Sequence, residues 1–254
     1  MFKISETQLS VLKQTARSSF EERMTLHLFN FARHHCEAIG KDVVRESVRL
    51  GLDRAGKYGL TQMGPVRCFV ELMYMLGSDF DTDPLLWWAS ETLTSPGLPD
   101  QMHRGECLYG HAQNYLELVI GANGCYAKSA HQRAVLLFSA PPQIATTDSL
   151  IGWLPERFMN IYPEKCSYVG QRALIDFVRH SIEKSTEGGL TKPCDIALLI
   201  SMMFLLGHGI AHDPLFPWIA SFFKRKIVHT NLTSWLEQRL RVDAKLVFDD
   251  IAED

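Results

Sequence analysis

Gly59 to Trp88 reads GLTQMGPVRCFVELMYMLGSDFDTDPLLWW, and Gly189 to Trp218 reads GLTKPCDIALLISMMFLLGHGIAHDPLFPW. The two stretches lie 130 positions apart and align without a gap. Such self-similarity marks a chain built from repeated supersecondary units. Gly59, Leu60, Thr61, Met73, Leu76, Gly77, Asp83, Pro84, Leu85 and Trp88 all recur at that offset. Upstream, Asn30, Cys36, Gly40, Val48 and Arg49 meet Asn160, Cys166, Gly170, Val178 and Arg179.

The shared residues read as helix punctuation. Val44, Val48, Leu52 and Ala55 recur at helical spacing and predict a helix from Asp42 to Lys57. Gly59 ends it as a left-handed cap. Thr61 is the expected N-cap of an apolar helix that runs to Leu76 and stops at Gly77. After the loop SDFDTD, Asp83 stands as N-cap with Pro84 at the first helical position, where a missing N–H costs nothing. The second stretch repeats these signals at Gly189, Thr191, Gly207, Asp213 and Pro214. Each unit is thus expected to be a helical hairpin plus a short third helix closed by Trp88 or Trp218.

Working outward, SPGLPD is a loop, and residues 100–120 predict a helix with Leu108, Ala112, Tyr115 and Val119 on one face. Gly121 to Gly124 break it, and another helix follows from Tyr126 to Phe138. SAPPQIATTDS is the expected linker, with Pro141-Pro142 the place for a hinge. Ser5-x-x-Gln8 and Ser234-x-x-Glu237 are capping boxes that open an N-terminal and a C-terminal helix. No run alternates as a strand does. The expected fold is all-α: two tandem copies of a helical-hairpin unit packed as a multi-helix array. Residues 1–93 hold the N-terminal helix and unit one, 94–149 the connecting helices and linker, and 150–254 unit two and the C-terminal helix.

The 254 residues are 46% hydrophobic and 22% charged, as in ordinary globular proteins. A net charge of -3 offers no footprint for nucleic acid or an anionic membrane. The N-terminus has no apolar signal segment, and the longest apolar run, ALLISMMFLL, is far short of a bilayer span. The six cysteines form no C-x-x-C pair and read as reduced thiols. The expectation is a cytoplasmic chain without membrane insertion.

Three patterns were tested for chemistry. Asp79-x-Asp81-x-Asp83 begins like a calcium loop, but the required Gly and Glu positions hold Pro84 and Ser90. His208 and His212 are four apart, as in a helical zinc pair, yet Gly207 and Gly209 place them in a loop, and the H-E-x-x-H glutamate is missing. No nucleophile elbow or phosphate-cradling glycine motif occurs. The reading is therefore a chain that is not an enzyme and carries no cofactor. A metal-dependent hydrolase using the His208/His212 and Asp79/Asp81/Asp83 loops is the alternative. The aromatic residues Trp87, Trp88, Phe216 and Trp218 start the third helix of each unit, where they serve either as core plugs or as anchors for a partner. With Phe80, Asp81, His208 and His212 they form the candidate binding set.

The block Tyr58-Gly59-Leu60-Thr61, Leu76-Gly77, Phe80-Asp81, Asp83-Pro84 and Trp88-Ala89 resembles a group of bacterial proteins. Their pattern runs P-x-K-C, Y-G-[ILT]-T, an apolar helix ending in L-G, then F-D-x-D-P-x-x-P-W-A. The second unit supplies Pro163-Glu164-Lys165-Cys166, Leu206-Gly207, Asp213-Pro214 and Pro217-Trp218. Trp87 replaces the expected proline in unit one, and unit two lacks the Phe-Asp pair. The resemblance covers roughly residues 20–93 and 150–223. It implies a setting beside type VI secretion genes for spike, PAAR and toxin proteins. The implied partner is a protein, a secreted toxin or its spike/PAAR carrier, with an adaptor, chaperone or immunity role. A structural homodimer is the remaining alternative.

Overall fold

The structure, a computed structural model, describes residues 5–139 and 144–219. The helix expected from Ser234 and the Pro141-Pro142 hinge lie outside them. Among the described residues every regular element is helical, and no helix is long and apolar enough to cross a membrane.

Among the described residues eleven α-helices follow in order: α1 (Glu6–Phe31), α2 (Arg33–Ile39), α3 (Lys41–Lys57), α4 (Met63–Leu76), α5 (Trp87–Thr94), α6 (Gln101–Tyr115), α7 (Cys125–Ser139), α8 (Leu150–Ile161), α9 (Pro163–Val169), α10 (Gln171–Glu187) and α11 (Pro193–Leu206). The bounds of α2, α3 and α4 recur 130 positions later as those of α9, α10 and α11. The joints match as well. Ala32 bends the chain with φ -143° and ψ 70°, and Tyr162 does so with φ -139° and ψ 69°.

Local chemistry explains most of the ends. Ser5 and Gln8 form both bonds of a capping box at the start of α1. Asp100 caps α6 by accepting from the His103 N–H at 3.0 Å. One expectation fails: Thr61 does not cap α4. The Oε1 of Gln101, at the head of α6, accepts from the N–H groups of Thr61 and Gln62 instead, at 2.7 and 2.9 Å. A side chain forty residues away thus does the work of a local cap, because α6 packs parallel to α4 and sets its first residue at the start of that helix. Past Tyr115, α6 widens into a π-helical turn over Leu116–Ile120 before Gly121 ends it.

One continuous core runs through both sets of helices, from Phe69, Leu72 and Trp88 to Phe158, Phe177 and Phe204. At its centre the rings of Phe158 and Phe204 stack 4.1 Å apart. A smaller core lies under α1, where Met24 and Leu28 meet Val44, Val48 and Val70. The connecting helices join the large core: the Tyr162 hydroxyl donates to the Val119 carbonyl at 2.8 Å, and Tyr115 meets Tyr168 edge to face.

Candidate functional site

The two Asp-Pro turns, apart in sequence, face each other where the first helical set meets the second. Each aspartate uses one oxygen locally and one across the junction. Asp83 Oδ1 accepts from the Leu85 N–H at 2.8 Å, and its Oδ2 from the His208 N–H at 3.2 Å. Asp213 Oδ1 accepts from the Leu215 N–H at 2.9 Å, and its Oδ2 from the Ser78 N–H at 2.8 Å. Ser78 and His208 themselves lie 130 positions apart, so the bonding is reciprocal. The chains cross tightly at Gly77 and Gly207, both at positive φ. A Cβ on Gly77 would come within 2.9 Å of the Leu206 carbonyl oxygen, and one on Gly207 within 2.8 Å of that of Leu76. Only glycine fits there.

The two aspartates share a geometry but differ in charge environment. Burial pushes the Asp83 carboxyl up, but the His208 ring and the buried Lys165 ammonium outweigh it and hold it below the ordinary value. His208 Nδ1 lies 3.7 Å from Asp83 Oδ2. Lys165, from α9, donates to the Phe204 carbonyl at 2.5 Å and sits over the Phe204 ring. Burial pushes its amine down, against the pull of Asp83. Among the described residues Asp213 faces no such cation: burial raises its carboxyl, and the N–H groups of Ser78 and Leu215 offset only part of that. The counterpart of Lys165 in the first set is His35, whose Nδ1 pairs with the Tyr74 hydroxyl at 2.6 Å.

The carboxylates that resemble a calcium loop are spoken for. Arg54 of α3 pairs with both Asp79 and Asp81. The Tyr58 hydroxyl adds a bond to Asp81 at 2.9 Å. Burial and the Asp81 charge push that hydroxyl up to about 12. Asp79 also leans over Gly209, filling the space a side chain there would take. Among the described residues no group of three or more His, Cys, Asp or Glu side chains is disposed to hold a metal ion.

The structure separates the residues singled out from the sequence. Phe80 is buried 4.9 Å from Phe69, Asp81 is buried under Arg54, and Trp88 is buried with its ring stacked on His111. These three side chains pack the interior and offer no surface to a partner. Trp88 Nε1 has no hydrogen-bond partner among the described residues. His208 is largely covered by Asp83, whereas His212 is exposed on the turn that follows. Phe216 and Trp218 are half-buried, and Phe216 lies 6.0 Å from His35. Trp87 is 54% exposed. Adjacent residues on a helix point about 100° apart, which sends one ring of the Trp pair inward and the other out.

Lys165, Arg54 and Tyr58 were missed as partners of the Asp loop. The 130-residue offset that pairs Lys165 with His35 was the available signal for one of them. No protein-family model, no curated protein and no solved structure matches the chain.

Proposed function

We propose that the chain is two copies of one helical unit and acts as a non-catalytic protein-binding protein of type VI secretion. It serves in the cytoplasm as adaptor, chaperone or immunity protein for a cognate toxin or its spike/PAAR carrier. The duplication is supported by the helix bounds that recur 130 positions on and by the reciprocal Asp83 and Asp213 bonds.

The observation that carries the binding reading is how the shared motif is spent. Its aspartates and lysine are consumed by Arg54, by backbone N–H groups and by each other, inside the junction. The large apolar side chain that the first Asp-Pro turn leaves in solvent is an indole, Trp87, beside the buried Leu85, Leu86 and Trp88. Tryptophan is enriched among residues that dominate protein interfaces. Trp87 also stands where the resembling proteins carry proline, so it is the feature by which this chain would choose its own partner.

Affinity capture of the tagged chain from its native host, with mass spectrometry of what co-elutes, tests this. A stoichiometric toxin or spike protein, lost with Trp87→Ala, is the expected result. Recovery of the chain alone refutes the reading. An immunity protein by itself rescues cells that express the toxin, whereas a chaperone is required for the toxin to accumulate or be secreted.

A further inference from the structure

The N-terminal half of α1 stands apart from the body. The helix has 26 residues and is about 39 Å long at 1.5 Å per residue. Its second half buries Met24 and Leu28 in the small core. Beside it α3 runs antiparallel, and the two are laddered by Lys41–Glu22, Arg49–Glu21 and Arg17–Asp53 pairs. Arg17–Asp53 is the last rung. Every residue from 5 to 19 is exposed, including Leu9 at 45% and Leu12 at 56%. The end is nevertheless a well-formed helix: the Ser5 N–H donates to Gln8 Oε1 at 2.9 Å, and the Gln8 N–H to Ser5 Oγ at 3.2 Å. A helix end without tertiary cover is marginal by itself, since helices gain most of their stability by burying an apolar face.

We propose that this overhang pairs with the same segment of a second copy, antiparallel, to form a two-helix seam. Leu9 and Leu12 are three apart and Ala16 is four further on, the spacing of positions that meet across a coiled coil. A two-fold axis passing between Ser10 and Val11 sets Leu9 of one copy against Leu12 of the other, and Leu12 against Leu9. The small Ser5 and Ala16 then meet at either end and let the helices stay close.

Charge selects this occupant and this direction. Glu6 and Lys13 flank the same side of the stripe, seven residues apart. In the antiparallel pair each Glu6 comes opposite the second copy's Lys13, so the two-fold axis generates two opposite-charge pairs. In a parallel pair the Glu6 side chains of the two copies, and likewise the Lys13 side chains, would lie on opposite edges of the seam, and neither attraction would form. The seam is short, well below the roughly 800 Å² per partner of a standard interface, so the dimer is concentration-dependent and not obligate.

Sedimentation equilibrium of the full chain over a concentration series tests the proposal. A monomer–dimer equilibrium is expected. Leu12→Glu abolishes it without changing the circular dichroism spectrum or the melting temperature of the dilute protein, because that side chain is exposed and belongs to neither core. Glu6→Lys and Lys13→Glu each weaken dimerisation roughly tenfold, the effect of turning two exposed attractions into two repulsions. The double variant E6K/K13E restores dimerisation, because the exchange keeps every cross-pair opposite in sign. Trp87→Ala leaves it unchanged, which separates this seam from the partner site above. A wild-type chain that stays monomeric at every concentration overturns the proposal. So does a dimer that survives Leu12→Glu, or a double variant no better than either single one.

Discussion

Replacing each crossed aspartate by asparagine separates the two jobs these residues do. An asparagine keeps one carbonyl oxygen for the local N–H, of Leu85 or Leu215, but turns an amide donor toward the N–H across the junction. Each variant therefore leaves one buried N–H unpaired, of His208 or of Ser78. That loss costs about 1–3 kcal/mol. Asp83 carries a second function, because its charge faces the buried Lys165 ammonium. The two make no contacting ion pair, so losing that attraction adds on the order of 1–2 kcal/mol, less than the roughly 3–5 kcal/mol of a broken contact pair. Asp83→Asn is thus expected to lower the unfolding free energy by about 2–5 kcal/mol, and Asp213→Asn by about 1–3 kcal/mol. Urea unfolding at neutral pH, followed by circular dichroism, measures both. Adding Lys165→Met to Asp83→Asn removes the orphaned cation and should return about 2 kcal/mol. The escape open to Lys165 is to lose its proton, so the Asp83→Asn penalty should shrink as pH is raised. Equal losses for the two aspartates, with no recovery in the double variant, would show that Asp83 is only a backbone cap and refute the charge argument.

Further outcomes follow from neighbouring contacts. Arg54→Ala strands the buried Asp81 carboxylate and should cost about 3–5 kcal/mol; Arg54→Lys should recover part of that, since an ammonium cannot reproduce the guanidinium fork. Gly77→Ala and Gly207→Ala each drive a methyl into the opposite chain and should destabilise more than Gly40→Ala. Gly40 has positive φ but nothing within 4 Å, so only a backbone cost of about 1–2 kcal/mol applies there. Calcium should leave the melting temperature unchanged, because Arg54 and backbone N–H groups already occupy the Asp79, Asp81 and Asp83 oxygens.

Acid should act on the two aspartates with opposite sign. Asp83 has a lowered folded-state value, so its contribution is present above the ordinary value of 3.8 and is lost as pH falls through the folded one. Asp213 has a raised value, so protonation in the folded state relieves a cost as pH falls. Asp83→Asn should flatten the acid limb of the stability curve and Asp213→Asn should steepen it, as read from urea midpoints across a pH series.

Much of the helical framework is readable along the chain because its causes are local. The Asp83-Pro84 and Asp213-Pro214 starts, the Ser5-x-x-Gln8 box and the Gly77 and Gly207 stops all act within a turn or two of backbone. Readings that assumed locality where the partner is distant fail. Thr61 looked like a cap, but Gln101 does that work. Asp79, Asp81 and Asp83 looked like one acidic loop, but an arginine 25 residues upstream holds the first two and a histidine N–H 125 residues downstream holds the third. Trp87 and Trp88 are indistinguishable as letters, and only the position of α6 puts His111 against one of them.

The sequence alone determined the all-helical character, the helix spacing shared by the two stretches and the glycines that stop several of the helices, because hydrophobic period and capping are short-range effects. Tertiary structure decided what the motif is used for. The Asp83 and Asp213 bonds, the Gly77–Gly207 crossing and the Lys165 charge join groups roughly a third to a half of the chain apart. Such contacts exist only once the cores have packed, and they leave no periodicity by which a linear reading could find them.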